Sequence, residues 1–323
     1  MIELPITVVV LAAGKGTRLG PLRLAHSKAM TPILGVPVLQ KIIEGFARNG
    51  VSDFVVVASP DDEPLIAWAG RFAQKGLTLK LAFQKERKGT AHALLQARPL
   101  IRQDFAVTSC DNLYPDSHLS HLLTAHLTHR PPAVITTADY QPQDLDKAAG
   151  VRLMGSMVRE IREKPGRDSK GWDAISKFLF TFRKGLLDCL DAVRPSARGE
   201  MELQDAITMF MEMCDEFCRA VKVERFLHLT SMEDLIAIHR HYLDNGREVI
   251  IHPEARVEPG VTLRHPVVID RGASVEAGAS IGPYVYVGRG ASIGAGATIE
   301  QSIIYPGARV EPGRAASGEI ILP

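Results

Sequence analysis

The chain has 323 residues, 46% of them hydrophobic and 23% charged, and 38 basic against 37 acidic side chains leave a net charge of +1. That composition fits a globular protein with room for two domains. It provides no global field for nucleic acid or a membrane surface, so any anion site has to be local. The opening "MIELPITVVVLAAGKG" carries an acid, no basic leader and a short apolar run, unlike a secretory signal. No stretch reaches the roughly 20 apolar residues of a membrane span. Cys110, Cys189, Cys214 and Cys218 show no framework spacing, which points to reduced thiols and a cytoplasmic protein.

The first predicted element is the strand "ITVVVLA" (6–12), which runs into "AGKGTRLG". Gly14 and Gly16 allow backbone N–H groups to turn inward, Thr17 adds a hydroxyl donor, and the Arg18 guanidinium can fork across two phosphate oxygens. The loop lacks G-x-x-x-x-G-K-[ST], and position 19 is Leu19, so G-x-G-x-x-G also fails. From these residues alone it is either a phosphate cradle or a basic turn. Next, "PVLQKIIEGFARNG" places Val38, Leu39, Ile42, Ile43 and Phe46 at helical spacing with Gly50 as a stop. The runs "DFVVVAS" (53–59), "LKLAFQ" (79–84), "DFAVTSC" (104–110) and "PAVITTA" (132–138) read as further buried strands. Continuous apolar strands separated by amphipathic helices predict an α/β, Rossmann-like, mostly parallel sheet that binds ligands at the carboxyl ends of its strands. Asp111 follows one such run and is expected at that edge. His118, His121, His126 and His129 fall in helical pairs and read as a helix rim rather than a zinc site. Met201, Met209, Met211 and Met213 read as core and helix filler.

"SMEDLIAIHRHYLDNG" (231–246) predicts a helix, with Ser231 as its cap and Asp234 three residues on. From about residue 250 the texture changes. Ile251, Val257, Leu263, Ile269, Val275, Ile281, Val287, Ile293 and Ile299 recur every six residues, most of them with a small or β-branched residue two places earlier. The period slips by one near Ile304 and resumes at Val310. A six-residue period is that of a parallel β-helix with three hexads to a coil, here roughly four coils. The expected organisation is an α/β domain over 1–230, a linking helix over 231–250 and a left-handed β-helix over 251–323.

The segment "LAAGKGTRLGPLRLAHSKAMTPILGVPVL" resembles the signature of the sugar-1-phosphate nucleotidyltransferases, with Arg18 and Lys28 at the family's spacing and Pro21 and Pro32 at its proline positions. "QKERKGTAHAL", "SCDN", "IREKPG", "GEMELQD" and the hexapeptide tail follow in family order, so the resemblance covers nearly the whole chain. It implies attack by a sugar 1-phosphate on the α-phosphorus of a nucleoside triphosphate, with release of pyrophosphate. The nucleophile is already an anion, so the work is positioning and charge stabilisation.

The resemblance implies a role for each matching residue. Arg18 and Lys28 would be catalytic. Leu11, Ala12, Ala13, Gly14, Gly16, Thr17, Gln84, Gly89 and Thr90 would bind the nucleotide. Gln84 would read a pyrimidine base, which favours UTP or dTTP. Gly150, Glu163, Lys164 and Lys177 would surround the sugar phosphate, and Asp111 and Asp205 would hold Mg²⁺. The chain departs from the family pattern at Ser27-Lys28, at Ser176-Lys177 in place of a residue followed by glycine, and at "FLHLTSMEDL". Two other readings are a bifunctional enzyme with an acyltransferase β-helix using His252 and His265, and a catalytically silent regulatory subunit. The expected partners are the two substrates and further copies of the chain joined through the β-helix, with no nucleic acid and no membrane.

Overall fold

The computed structural model describes residues 3–14, 20, 27–72, 74, 76–244 and 248–323. Its described residues fall into two compact units. Within those bounds the first comprises 3–14, 27–30 and 39–226, and the second comprises 20, 31–38 and 227–323.

The first unit is built on one sheet. Its strands are β1 (Thr7–Leu11), β4 (Asp53–Ala58), β5 (Thr78–Phe83), β6 (Phe105–Ser109), β8 (Ala133–Ala138), β9 (Gly150–Met154), β10 (Met157–Arg162), β11 (Ala174–Phe182) and β12 (Cys218–Lys222). The strands β2 (Pro32–Ile33) and β3 (Val36–Pro37) form a hairpin in the second unit, and β7 (Asn112–Leu113) is a short strand after β6. The sheet order is β5-β4-β1-β6-β11-β8-β12-β10-β9. Each of the apolar runs singled out in the sequence is one of its strands. The neighbours β5, β4, β1 and β6 are all parallel, with Val9 opposite Val55 on one side and Val107 on the other. Beyond β6 the pairing changes: β11 inserts antiparallel between β6 and β8 and carries a register shift between Ser176 and Phe180.

Among the described residues six α-helices cover this frame or follow it: α1 (Val38–Arg48), α2 (Glu63–Arg71), α3 (Thr90–Ala97), α4 (Asp116–His129), α5 (Leu203–Cys214) and α6 (Met232–Asp244). The apolar stripe predicted over 37–50 is the buried face of α1, where Leu39, Ile43 and Phe46 are each at most 1% exposed. One core cluster joins Val9, Val55, Val107, Ile135, Phe180 and Phe182 to Leu94 of α3 and Phe210 of α5. The Phe182 ring packs tilted against Phe105 at 5.3 Å and stacks on Phe180 at 5.7 Å, contacts that add to their area burial. Helix α4 corrects the reading of its histidines as a rim. His118 and His126 turn inward, 5% and 0% exposed, with their Nε2 atoms 3.0 Å from Thr136 Oγ1 and 3.2 Å from Asp104. Buried imidazoles take such partners because an unpaired polar group in a core is costly.

In the second unit, β13 (Leu227–His228) precedes α6. The Asp234 N–H donates to Ser231 Oγ at 3.2 Å and the Ser231 N–H to Asp234 Oδ2 at 2.9 Å, a reciprocal cap. The remaining strands form three parallel sheets: β14-β17-β20-β23-β26, β15-β18-β21-β24 and β16-β19-β22-β25. These run from β14 (Val249–Ile251) to β26 (Ile320–Ile321) and make the left-handed β-helix expected from the period. Early coils repeat at 18 residues, with Val249 opposite Val267 and Val267 opposite Val285; later ones repeat at 17, with Val287 opposite Ile304 and Thr298 opposite Ala315. The slip read near Ile304 is that change of register. Val275, Ile281, Ile293 and Ile299 fill the interior at 1% exposure or less, whereas Val249, Ile250 and Ile251 of the first coil are 36%, 49% and 42% exposed.

Candidate active site

The site is assembled at the carboxyl edge of the parallel strands. Ala12 and Ala13 follow β1 and are buried; the Ala12 N–H donates to the Val57 carbonyl at 2.8 Å, and the Leu11 carbonyl accepts from the Cys110 N–H at 3.2 Å. Both bonds carry the parallel pairing one step past the strands, so Gly14 leaves the sheet at a fixed place. Gly16, Thr17 and Arg18 lie outside the described residues.

Lys28 opens a short 3-10 turn (Lys28–Met30), and its ammonium pairs with the Asp111 carboxylate, 83 residues away in sequence. Asp111 Oδ1 also accepts from Ser109 Oγ at 2.5 Å, and Asn112 Nδ2 donates to that same hydroxyl at 2.9 Å. The Lys28 and Asp111 side chains are only 15% and 16% exposed. Their pairing is therefore weakly screened, and each holds the other at the mouth of β6.

Gln84 stands one residue past β5, its own N–H bonded to the Ala58 carbonyl at 2.9 Å. It is 5% exposed, and its Nε2 donates to the Gly89 carbonyl at 3.2 Å and lies 3.1 Å from His92 Nδ1. Gly89 has φ of 104°, and a Cβ there would fall 2.4 Å from the Met201 carbonyl oxygen. Only glycine fits both demands. The close approach is a zipper: the Met201 N–H donates to the Lys88 carbonyl at 2.7 Å and the Ala91 N–H to the Met201 carbonyl at 2.9 Å. Thr90 completes it by accepting the Leu203 N–H at the start of α5.

Asp205 sits in the first turn of α5, where the helix dipole favours an anion. Burial first and then Glu202 nevertheless raise its carboxyl above the ordinary value. Glu202 is 4% exposed and accepts from Arg198 at 2.6 Å and from Ser196 Oγ at 3.2 Å. Arg198 also lies 3.9 Å from Glu163, which itself pairs with Lys164 at 3.4 Å. Burial leads the causes that raise the Glu163 carboxyl, with Glu202 adding to it and Lys164 and Arg198 opposing. The structure thus brings Glu163, Lys164 and the start of α5 into one charged group. Lys164 has φ of 44°, a backbone conformation that side chains seldom adopt.

The other sugar-site expectations fall differently. Gly150 begins β9, and a Cβ there would lie 2.6 Å from the Trp172 ring, so that face of the glycine is closed by the indole. Lys177 has its ammonium 5.0 Å over the Phe226 ring, and burial lowers its pKa, opposed by Asp144; no contact joins it to Glu163 or Lys164 among the described residues. His252 Nδ1 accepts the Glu254 N–H at 3.1 Å in a turn of the β-helix. The cysteines are free thiols, three of them buried. No described helix is long and apolar enough to cross a membrane.

Residues that the sequence reading passed over also belong here. Arg87 Nε donates to the Ala13 carbonyl at 2.7 Å and Arg87 Nη2 to Ser59 Oγ at 3.2 Å, tying the "KERKG" loop to the end of β1. Arg198 and Glu202 lie in the irregular segment before α5, where a spacing of four does not by itself pair two charges, so their ion pair had no signal in the sequence.

A parallel edge with a lysine–aspartate pair, a buried amide and an acidic helix start defines a phosphate-handling α/β protein. The chain belongs to the nucleotidyl transferase family, whose model matches residues 7–245, and a model of the GMPPB C-terminal domain matches residues 263–321. A UTP--glucose-1-phosphate uridylyltransferase, AglF of Haloferax volcanii, is 30% identical over 207 residues, covering 63% of this chain and 82% of that protein. The bifunctional protein GlmU of Methanococcus maripaludis strain C5 is 26% identical over 265 residues, covering 81% of this chain. The chain spans 60% of that relative's length, and 46% of GlmU from strain C7 of the same species. Among solved structures, a UDP-glucose pyrophosphorylase in complex with UDP-glucose shares the fold with a TM-score of 0.66 at 18% identity, over 76% of this chain and all of that one. A UTP-bound UGPase from Acinetobacter baumannii gives 0.64 at 18% identity, over 79% and 95%.

Proposed function

We propose that the protein transfers a nucleotidyl group from UTP or dTTP to a hexose 1-phosphate, releasing pyrophosphate, and that residues 1–230 carry this chemistry. The observation that supports the reading most directly is the Lys28–Asp111 pair at the carboxyl edge of β6, a cation and an anion held where a parallel sheet receives phosphate ligands. AglF, which uses UTP and glucose 1-phosphate by its name, puts UTP first among the triphosphates.

In this mechanism Arg18 and the segment Leu11 to Thr17 hold the triphosphate, with backbone N–H groups beyond Ala12 as the donors because the Ala12 N–H is committed to the Val57 carbonyl. Lys28 turns from Asp111 to the α-phosphate and offsets charge that develops there. Lys164 meets the incoming sugar phosphate, Glu163 accepts from a sugar hydroxyl, and Arg198 pairs with Glu163 and Glu202 when the pocket holds no sugar. Gly150 lines the sugar pocket from β9, and Lys177 borders it from β11 beside Phe226. Gln84, Gly89 and Thr90 form the base pocket.

Asp111 and Asp205 suit a hard divalent cation. Asp205 is a carboxyl whose ionisation is opposed by burial and by Glu202, and a bound cation would relieve both. Mg²⁺ held by these two carboxylates would neutralise charge on the phosphate oxygens.

In this reading the segment 231–250, which holds α6 (Met232–Asp244) and the start of β14, links this domain to the β-helix over 251–323, which we assign to self-assembly. Free thiols support a cytoplasmic setting. The test is a pyrophosphate-release screen of five triphosphates against a panel of sugar 1-phosphates, with and without EDTA. UTP or dTTP with a hexose 1-phosphate should give the highest rate. No release from any pair would overturn the assignment and favour a silent regulatory subunit.

A further inference from the structure

Gln84 carries one amide with two faces, and the structure uses only one of them. Its Nε2 meets two acceptors, the Gly89 carbonyl at 3.2 Å and His92 Nδ1 at 3.1 Å. A carbonyl oxygen can only accept, so the amide nitrogen has to face Gly89. Its second hydrogen then points to His92, whose Nδ1 must be bare and whose proton therefore sits on Nε2. Gln96 Nε2 lies 3.5 Å from His92 Nε2 and would ask for the opposite tautomer. That contact is longer, and the same Gln96 nitrogen already donates to the His92 carbonyl at 3.2 Å. The shorter contact to Gln84 decides the tautomer.

The consequence falls on the other face. Among the described residues no donor meets Gln84 Oε1, which keeps contact with solvent although the residue as a whole is only 5% exposed. It sits at the carboxyl end of β5, at the edge where a parallel sheet takes its ligand. An acceptor that opens at this edge can take a ligand's donor in place of water, and a ligand that covers it without a donor leaves it unsatisfied at a cost.

We infer that His92 is a positioning residue that fixes the Gln84 amide so that the base pocket presents a lone acceptor, selecting a base with a ring N–H. Uracil and thymine carry that N–H at N3. Cytosine has a lone pair at the same ring atom and would face Gln84 Oε1 acceptor to acceptor. The inference rests on Gln84 as the base-reading residue and adds what sets its polarity. UTP and CTP are the sharpest pair of probes, because their bases differ only at position 4 and the adjoining N3.

The experiment compares UTP and CTP by equilibrium titration and by pyrophosphate release with the full-length protein. His92→Leu removes the acceptor and frees the amide to rotate; the preference for UTP over CTP should fall about tenfold or more, the scale of one hydrogen bond misplaced in a buried pocket. His92→Asn returns an acceptor near the Nδ1 position and should restore most of the preference. Gln84→Leu should abolish it. If Gln84→Leu leaves the preference intact, the base-reading role itself falls. If Gln84→Leu relaxes it while folded His92→Leu does not, only the role of His92 falls. The tautomer is checked without any loss of fold: ¹⁵N spectra of histidine-labelled protein, assigned with His92→Asn, should show a bare Nδ1 on His92. A protonated Nδ1 there would overturn the inference.

Discussion

The Thr90 hydroxyl oxygen accepts the Leu203 backbone N–H at 3.0 Å across 113 residues of sequence. Leu203 is the first residue of α5, and Glu202 before it makes no side-chain cap. Thr90 therefore satisfies one of the orphan donors of the helix that carries Asp205. Thr90→Val should cost about 1 kcal/mol of stability, the usual scale for a lost cap. It should also raise the Mg²⁺ concentration needed for half-maximal rate by loosening Asp205. Thr90→Ser should recover both in denaturant melts and metal titrations. A variant that loses stability but keeps its metal response would separate the cap from the site.

Lys28→Ala and Arg18→Ala should each lower turnover by about 100-fold or more, the effect of deleting one preorganised charge stabiliser. Lys28 pairs with Asp111 at the sheet edge rather than filling the core, and circular dichroism of both variants should be unchanged. Turnover near wild type in both variants would remove them from the mechanism.

Asp111→Asn and Asp205→Asn keep their shape and lose a charge, so the Mg²⁺ concentration needed for half-maximal rate should rise in each. Asp111→Asn should also free Lys28, seen as altered reactivity of that amine towards acylating reagents. Wild-type activity that survives excess EDTA would exclude a metal role for these carboxylates.

Two buried groups set opposite pH trends. The Glu163 carboxyl is raised chiefly by burial, so the folded state holds its proton more tightly than the unfolded chain. Its contribution is present below the unfolded value of 4.5 and is lost as pH rises through the folded value. Glu163→Gln should therefore raise the melting temperature at neutral pH while lowering sugar-phosphate affinity, and the thermal gain should vanish in acid. Burial pushes the His118 imidazole down to about 4 from 6.5, so the folded state favours its neutral form. Stability from this group is full above 6.5 and lost as pH falls towards about 4. His118→Gln, which keeps a partner for Thr136, should flatten the acid limb of a Tm-against-pH curve.

The exposed Val249, Ile250 and Ile251 in the first coil fit a surface that is covered by assembly. Light scattering of the full chain at micromolar concentration should report an oligomer, and a chain truncated near residue 246 should lose it. A full-length monomer, or assembly unchanged by truncation, would refute a role for the β-helix in self-association.

Much of this protein is local in origin and was therefore readable in the chain. The strand at 6–12, the stripe of α1 and the hexad ladder from Ile251 to Ile299 follow from side-chain period, because a strand or helix buries whichever face its own spacing makes apolar. The Ser231–Asp234 cap is equally local. What depends on residues far apart was not readable. Period says nothing of neighbour order, so the antiparallel insertion of β11 between β6 and β8 came only from packing. The hairpin at 31–38 reads as part of the first domain, yet it groups with the second unit, where His239 Nε2 lies 3.2 Å from the Pro32 carbonyl. Gly150 matched a family position, but only the folded chain showed Trp172 against it. Lys28 and Asp111 could each be picked out by motif; their pairing, the Arg87 tie to Ala13 and the polarity of Gln84 are products of tertiary contact. A hydrogen bond or ion pair has direction and a short reach, so its existence is decided by where the backbone brings two groups, and no run of neighbouring residues encodes that.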